Sequence, residues 1–407
     1  METRPLRICI ISQYFPPDIG GASTRASNAI KGLRKKGHLV YVVTAFPHYP
    51  HGCVPKECRR KAFAIEGDDA VRVVRVWVPP LPHEGAAKRL VMYACFTLFS
   101  MIGLPFSGPI DVIWAVSPNY FSSYSGLFYK LIKRRPLVLD VVDLWPEALL
   151  CLGFLRSGAI AGFVSASVGL FYKLSDGIVT LNLAMKREIL GRVRNVSKVF
   201  IVKNTVDPDV FRPSKAKRPW YLKGKFVVAY SGNLGPMYDF DTVLGAAKNL
   251  MHVEDLAFVL RGNGELAAEL KEKITNLKNV YLFTDVLDVE QVVEFPNMAD
   301  AFLLPMRKLE NCEVSFPLKL VEYLSCGKPV ICCANGETAK FVYENNAGVV
   351  VEPEDVQALS KAIIRLHEAR EYREELGNDG RKAVLECYSY QRMAAELENA
   401  FEKASRF

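Results

Sequence analysis

Several common carriers of chemistry are missing from this sequence. Its ten cysteines include no Cys-x-x-Cys pair, and none stands at metal-ligand spacing from a histidine, which argues against a structural zinc site or a dithiol redox centre. The Gly-x-Gly-x-x-Gly dinucleotide fingerprint and the Walker motif are absent. So are low-complexity tracts and solenoid-period repeats, which leaves an ordinary globular chain. No basic-aromatic motif accompanies the net charge of +8, and nucleic-acid binding is not expected. The apolar run that begins at Ile8 is strand-sized and has no cleavage pattern, so no signal peptide is expected. Histidine is scarce. His38 follows Gly37 before a strand and reads as structural. His48, His51 and His83 fall in loops without a partner at useful spacing, and no catalytic histidine is assigned.

What is present suffices for two cores. With 407 residues, half of them hydrophobic, the chain exceeds one comfortable core. The β-branched or apolar runs Arg7–Ser12, Leu39–Thr44, Val71–Val78, Asp111–Val116, Pro136–Val142, Gly177–Leu181 and Phe200–Lys203 read as strands. A loop with Gly20 and Gly21 and a helical stretch Ala22–Lys36 separate the first two. A second series comprises Phe226–Ser231, Ala257–Arg261, Val280–Thr284, Ala301–Pro305, Val330–Ala334 and Gly348–Val351. Such alternation of strand and helix predicts α/β domains with parallel sheets. The expected division is an N-terminal domain over 1–206, a Pro- and Lys-rich linker over 207–225, a C-terminal domain over 226–387 and a final helix over 388–405. Ligands of parallel sheets bind at the carboxyl ends of the strands, so an interdomain cleft is the expected site. Cys332 and Cys333, inside an apolar run, read as buried reduced thiols, and unpaired Cys53 and Cys58 are favoured over a disulfide.

Charge is unevenly spread. Residues 1–213 hold 28 Lys+Arg and 15 Asp+Glu, whereas 214–407 hold 24 and 29. The basic half suggests an anionic partner, such as a membrane surface or a phosphorylated acceptor; scattered solvated lysines are the plain alternative. Leu90–Phe106 is 17 residues without a charge, preceded by Lys88 and Arg89 and closed by Pro105. A spanning helix needs about 20 apolar residues. The segment reads as a helix lying on a membrane or in an apolar acceptor groove, with an internal helix as the alternative. Ser157–Tyr172 is also charge-free, and its Gly, Ala and Ser content suits close packing as well as lipid contact.

The short Gly loops are the first candidate site elements. Gly20 and Gly21 open the first helix, where backbone amides can approach an anion. YSGNLG (Tyr230–Gly235) and RGNGE (Arg261–Glu265) follow strands of the second series and offer Gly232, Asn233, Gly262 and Gly264 to a nucleotide; each alone could be a turn. In FPLKLVEYLSCGKPV (Phe316–Val330), Lys319 and Glu322 share a helix face. The lysine can neutralise a diphosphate leaving group and the carboxylate can accept ribose hydroxyls; a surface ion pair is the alternative. Asp143 ends an apolar strand beside Trp145, which suits contact with an acceptor or sugar hydroxyl and stacking on a sugar face, or else a cap and a core residue.

PLKLVEYLSCGKPVI, with YSGNLG, RGNGE and the opening YFPPDIGGAST, resembles glycosyltransferase family 4 over nearly the whole chain. DVVDLWPE (Asp140–Glu147) looks like the bacterial-type subgroup that builds lipid-linked surface polysaccharides, including fucosamine-transferase-like members. The resemblance implies the GT-B fold, two Rossmann-like parallel-sheet domains facing across a cleft. It also implies retention at the anomeric carbon and no obligatory metal cofactor. The donor would be a nucleotide-diphosphate sugar, UDP-sugar favoured, bound by the C-terminal domain. The acceptor would be polyprenyl-linked or another glycan, as in lipopolysaccharide synthesis, with the enzyme peripheral on the cytoplasmic face of the membrane. The final helix would cross back onto the N-terminal domain.

The chain also departs from the family pattern. Of the Glu-x7-Glu pair, Glu322 fits the second position, but Val314 holds the first, with Glu313 one residue off. The arginine and lysine implied after the first strand of the second domain are Asn233 and Tyr238. Leaving-group stabilisation then falls on Lys319, with Arg261 or Arg307 as substitutes. The implied mechanism is front-face attack through an oxocarbenium-like state, with Gly20–Gly21 meeting the phosphate or sugar and closure about 207–225. Two other functions fit the same architecture: a nucleotide-sugar 2-epimerase and a non-catalytic transferase-like partner protein.

Overall fold

The computed structural model describes residues 4–49, 52–81, 86–116, 121–193, 195–285, 289–309 and 313–406; His51 and His83 lie outside them. The chain forms two compact units, Met1–Thr205 with Tyr390–Phe407, and Val206–Ser389.

The first unit is built on eight strands: β1 Arg7–Ile11, β2 Leu39–Ala45, β3 Phe63–Gly67, β4 Val71–Val76, β5 Val112–Val116, β6 Leu137–Val141, β7 Gly177–Thr180 and β8 Val199–Ile201. Their order is β3-β4-β2-β1-β5-β6-β7-β8. Only β3 runs antiparallel, paired with β4. It is absent from the strands expected from sequence because it is an edge strand with nearly every residue exposed, so no apolar pattern marks it. The turn before β4 is held by Asp68, whose carboxylate accepts from the amides of Ala70 and Val71. Strands β1, β5, β6 and β7 are buried almost throughout and read as near-continuous apolar runs.

One face of this sheet packs on the helices Gly21–Lys35 and Tyr390–Ala404. Ile8, Ile10, Val42 and Trp114 share a core there with Met393, Leu397 and Phe401. The two helices approach closely at Gly32, where a Cβ would lie 2.5 Å from the Tyr390 carbonyl oxygen. Arg25 is buried beneath them and makes a two-pronged pair with Asp140 at 2.7 and 2.9 Å while also donating to the Val202 carbonyl. Only such full pairing makes a buried guanidinium tolerable.

The opposite face carries the helices Ala86–Ile102, Ser122–Lys133 and Ala159–Leu174. Met92, Phe96 and Ser100 are buried against the sheet, while Leu90, Val91, Leu98 and Ile102 face outward. Leu90–Phe106 therefore has a packed inner side and an exposed apolar outer side. Neighbouring helices continue the outer surface with Leu131, Ile132, Ile160, Phe163, Leu170 and Leu174; Ile160 is 69% and Phe163 67% exposed. None of the three helices contains an acidic residue. No described helix is long and apolar enough to cross a membrane.

The second unit holds β9 Phe226–Ser231, β10 Leu256–Arg261, β11 Val280–Phe283, β12 Ala301–Pro305, β13 Val330–Cys333 and β14 Gly348–Val351. All run parallel in the order β11-β10-β9-β12-β13-β14, with an apolar core on each face. Cys332 and Cys333 are buried, and Cys53 and Cys58 are free. Residues 207–225 are fastened to this unit. Phe211 and Leu222 enter its core, Asn297 bonds the backbone on both sides of Pro213, and Arg218 pairs with Asp300 at 2.8 Å.

With β3 set aside, the first sheet shows the doubly wound order 3-2-1-4-5-6 extended by a seventh strand, β8, and the second shows 3-2-1-4-5-6 itself. Strand order reverses between β1 and β5 in the first unit and between β9 and β12 in the second. Ligands of this architecture bind beyond the carboxyl ends of the strands at that reversal.

Candidate active site

At the second reversal, the loops after β9 and β10 leave the sheet side by side, because the ladder ends at Ser231 opposite Arg261. They are stitched together. The Gly232 amide donates to the Arg261 carbonyl at 2.9 Å, Leu234 to Asn263 at 2.9 Å and Leu266 to Leu234 at 2.9 Å. Gly262 has φ +147°, and a Cβ there would sit 1.7 Å from the Gly232 carbonyl oxygen, so only glycine permits the approach. A Cβ on Gly264 would lie 2.5 Å from both Asn233 Oδ1 and the Leu234 carbonyl oxygen. Gly232, Asn233, Gly262 and Gly264 thus form one surface.

The helix Leu318–Ser325 aims Lys319 at that surface. Leu320, Val321, Tyr323 and Leu324 bury its inner side. The Tyr323 hydroxyl accepts from the Ser231 amide at 2.9 Å and donates to the Ser231 carbonyl at 2.6 Å, while its ring stacks on Phe302 at 3.7 Å. This pins the helix to the end of β9 and sets Lys319 one turn earlier. Its Nζ donates to the Tyr230 hydroxyl at 2.6 Å and lies 3.9 Å from the Tyr238 ring centroid and 4.2 Å from that of Tyr230. A Cβ on Gly232 would come within 2.7 Å of it. Among the described residues, no carboxylate pairs with Lys319. Burial pushes its ammonium down to about 7, only partly offset by Glu322, and burial likewise raises the Glu322 carboxyl to about 7. Tyr238 stands where the family resemblance implies a lysine, and its ring cradles the remaining lysine by a cation–π contact. Sequence reading missed Tyr230 and Tyr323 as supports because an aromatic in an apolar run signals only core.

The other candidates sit differently. Arg261 pairs with Asp285 at 2.5 Å and lies over Phe283 and Phe295, while its buried Nε has no hydrogen-bond partner. Arg307 is exposed just beyond β12, and Glu313 is exposed with its carbonyl accepting from the Glu337 amide.

At the first unit's reversal, the helix opened by Gly20 and Gly21 has no side-chain cap. A Cβ on Gly20 would meet the Tyr49 ring at 3.0 Å, whereas Gly21 has open space. Beside them lies a buried couple that sequence alone did not mark. Asp18 Oδ1 accepts from the amides of His48 and Tyr49, and Oδ2 is buried without a hydrogen-bond partner, 3.8 Å from His48 Nδ1. Burial raises the Asp18 carboxyl and lowers His48. His48 Nδ1 donates to the Phe46 carbonyl at 2.8 Å, and Tyr14 stacks on the imidazole at 5.3 Å. Asp143 lies beyond β6 on a recess shared with Trp145, Phe171 and Tyr172, and desolvation by the surrounding protein lifts its carboxyl to about 6.

Comparison with known proteins fits this architecture. Residues 20–205 match the family model described as "Glycosyl transferase 4-like domain" and residues 213–383 the one described as "Glycosyl transferases group 1". The chain belongs to the GT-B glycosyltransferases. It is 25% identical to the Escherichia coli protein named for colanic acid biosynthesis as glycosyl transferase WcaI, over 88% of this chain and 91% of that one. Two solved structures share the fold. Sucrose-phosphate synthase from Thermosynechococcus elongatus has a TM-score of 0.75 at 17% identity and covers 98% of each chain. Anabaena HepE in complex with UDP-glucose has a TM-score of 0.68 at 15% identity and covers 98% of this chain and 99% of that one.

Proposed function

We propose that this chain is a retaining glycosyltransferase that moves a hexosyl or N-acetylhexosaminyl group from a nucleoside diphosphate sugar, a UDP-sugar first, to a lipid-linked or polysaccharide acceptor in surface-glycan synthesis. The observation that carries this reading is Lys319, an ammonium without a carboxylate partner, held by two tyrosines against the Gly232 and Gly262 loops. In that position its charge meets the departing diphosphate, where it stabilises the transition state more than the ground state. Glu322 accepts the ribose hydroxyls. The bond from the anomeric carbon to the acceptor oxygen forms on the face from which the diphosphate leaves, and the acceptor proton departs with that diphosphate. Arg261 contributes positive potential from behind its pair with Asp285. Asp143 and the Gly20–Gly21 loop serve the acceptor or sugar, and no metal cofactor is needed.

The acceptor class rests on two supports. A relative named for colanic acid biosynthesis points to surface polysaccharide. The acid-free apolar helices of the first unit, with exposed Lys88, Arg134, Arg135, Arg156 and Lys173 in or near them, suit an anionic lipid surface and support a peripheral position on the cytoplasmic face of the membrane. A thermal-shift screen of UDP-, GDP- and ADP-sugars, followed by nucleotide release with and without a polyprenyl-linked acceptor, tests the reading. Acceptor-dependent release of UDP is expected. Epimerisation of free donor would make the chain an epimerase, and absence of nucleotide binding would make it a non-catalytic partner.

A further inference from the structure

The opposite edge of the second sheet holds an unused cluster of charge. A recess of about 310 Å³ opens where the chain enters β12 and β13, near the small end of the range for ligand pockets, about 300–1,000 Å³. Asp300 precedes β12 and Lys328 precedes β13, while Arg370, Arg373 and Glu374 come from the start of the helix Arg370–Cys387. The five residues of β12 put this edge about 17 Å from the strand ends that face the donor loops.

Both carboxylates in the recess are already engaged. Asp300 Oδ1 pairs with Arg218 at 2.8 Å, and Oδ2 accepts from the Val227 amide at 2.8 Å. Glu374 accepts from Arg370 at 2.7 Å. The remaining cations have no such match. Lys328 Nζ makes no hydrogen bond or ion pair among the described residues, and Arg373 donates only to the Leu366 and His367 carbonyls. With Arg218, four cations surround two carboxylates.

We propose that this recess binds a phosphate or phosphomonoester dianion, with Lys328 as its principal ligand and Arg373 and Arg370 completing the shell. A dianion balances the excess of two positive charges, and partial enclosure strengthens each charge-assisted hydrogen bond. Burial, with a smaller contribution from neighbouring cations, already holds both Lys328 and Arg373 below their ordinary values, a strain that an anion relieves. The site is independent of sugar transfer.

Calorimetric titration of the full chain with inorganic phosphate and with glycerol 3-phosphate tests it. The donor loops also attract phosphate, so two variants are compared. Lys328→Gln is expected to weaken binding about tenfold or more. Lys319→Ala is expected to remove only phosphate binding at the donor loops and to leave the Lys328-dependent event within about twofold, since the two groups share no partner. Loss of binding in Lys319→Ala with none in Lys328→Gln would overturn the proposal, as would the absence of saturable binding in the wild type. A measurement on the unmodified chain guards against a misfolded variant: saturating phosphate should slow acetylation of Lys328 Nζ, read by mass spectrometry, and an unchanged rate would count against the site.

Discussion

At its strand-order reversal the second sheet ends in interlocked glycine loops and a lysine held between tyrosines. At the same topological point the first sheet ends in the buried Asp18–His48 couple, flanked by Tyr14 and Tyr49. The outer helices differ as sharply. Three in the first unit carry exposed apolar side chains and no acid, whereas those of the second mix acids and bases, as in Ala267–Lys273 and Val356–Glu368. One strand order therefore supports a cationic edge suited to diphosphate in one unit and an edge built on a buried carboxylate–histidine couple in the other. The scaffold fixes where a ligand can sit, and the loops fix what it can be.

The largest test of this contrast is Lys319→Ala. Removing a charge aimed at the leaving group should lower kcat/KM by about 10²–10³-fold, with the thermal transition retained. Near-normal turnover would move neutralisation elsewhere, Arg261 being the next group to change. Phe163→Glu with Leu170→Glu should weaken binding to phosphatidylglycerol-containing vesicles by about tenfold or more, without loss of folding. Tyr343→Glu, on an exposed helix of the second unit, should do nothing in the same assay. Equal loss in both would remove the asymmetry between the units. Gly262→Ala forces a Cβ into the Gly232 carbonyl at positive φ and should cost about 1–3 kcal/mol. A lowered Tm together with loss of UDP binding is the expected readout, and an unchanged protein would mean the loops are not locked.

Two smaller effects sharpen the cationic edge. Lys319 loses its charge as pH rises through about 7, so UDP affinity should be higher at pH 6 than at pH 9. Bound diphosphate favours the ammonium and displaces the fall upward. Lys319→Arg, charged throughout, should flatten the Lys319 contribution to the profile; an unaltered slope would assign it to another group. Glu322→Ala should weaken donor affinity about tenfold through lost ribose hydrogen bonds, and unchanged affinity would contradict that role.

Much of the fold was legible from residues. Buried parallel strands such as Phe226–Ser231 and Ala301–Pro305 are continuous apolar runs, and their residues alone mark the boundaries. β3 was not legible, because FAIEG is held by pairing with β4 and by little burial of its own. The stretch 207–225 lacks periodicity and reads as linker from sequence; its attachments through Phe211, Arg218 and Asn297 exist only once distant residues are assembled.

The sequence by itself determined the alternation of strands and helices, the position of the short glycine loops after strands, and the placement of Lys319 and Glu322 on one helical turn. Those properties depend on local sterics and periodicity. Tertiary structure decided which charges are free. Lys319 donates to a tyrosine hydroxyl between two tyrosine rings instead of pairing with Glu322, Arg261 was taken by Asp285, and Lys328 was left unmatched where two strands begin. Ion pairing depends on a few ångströms between residues far apart in the chain, and no local pattern encodes that distance.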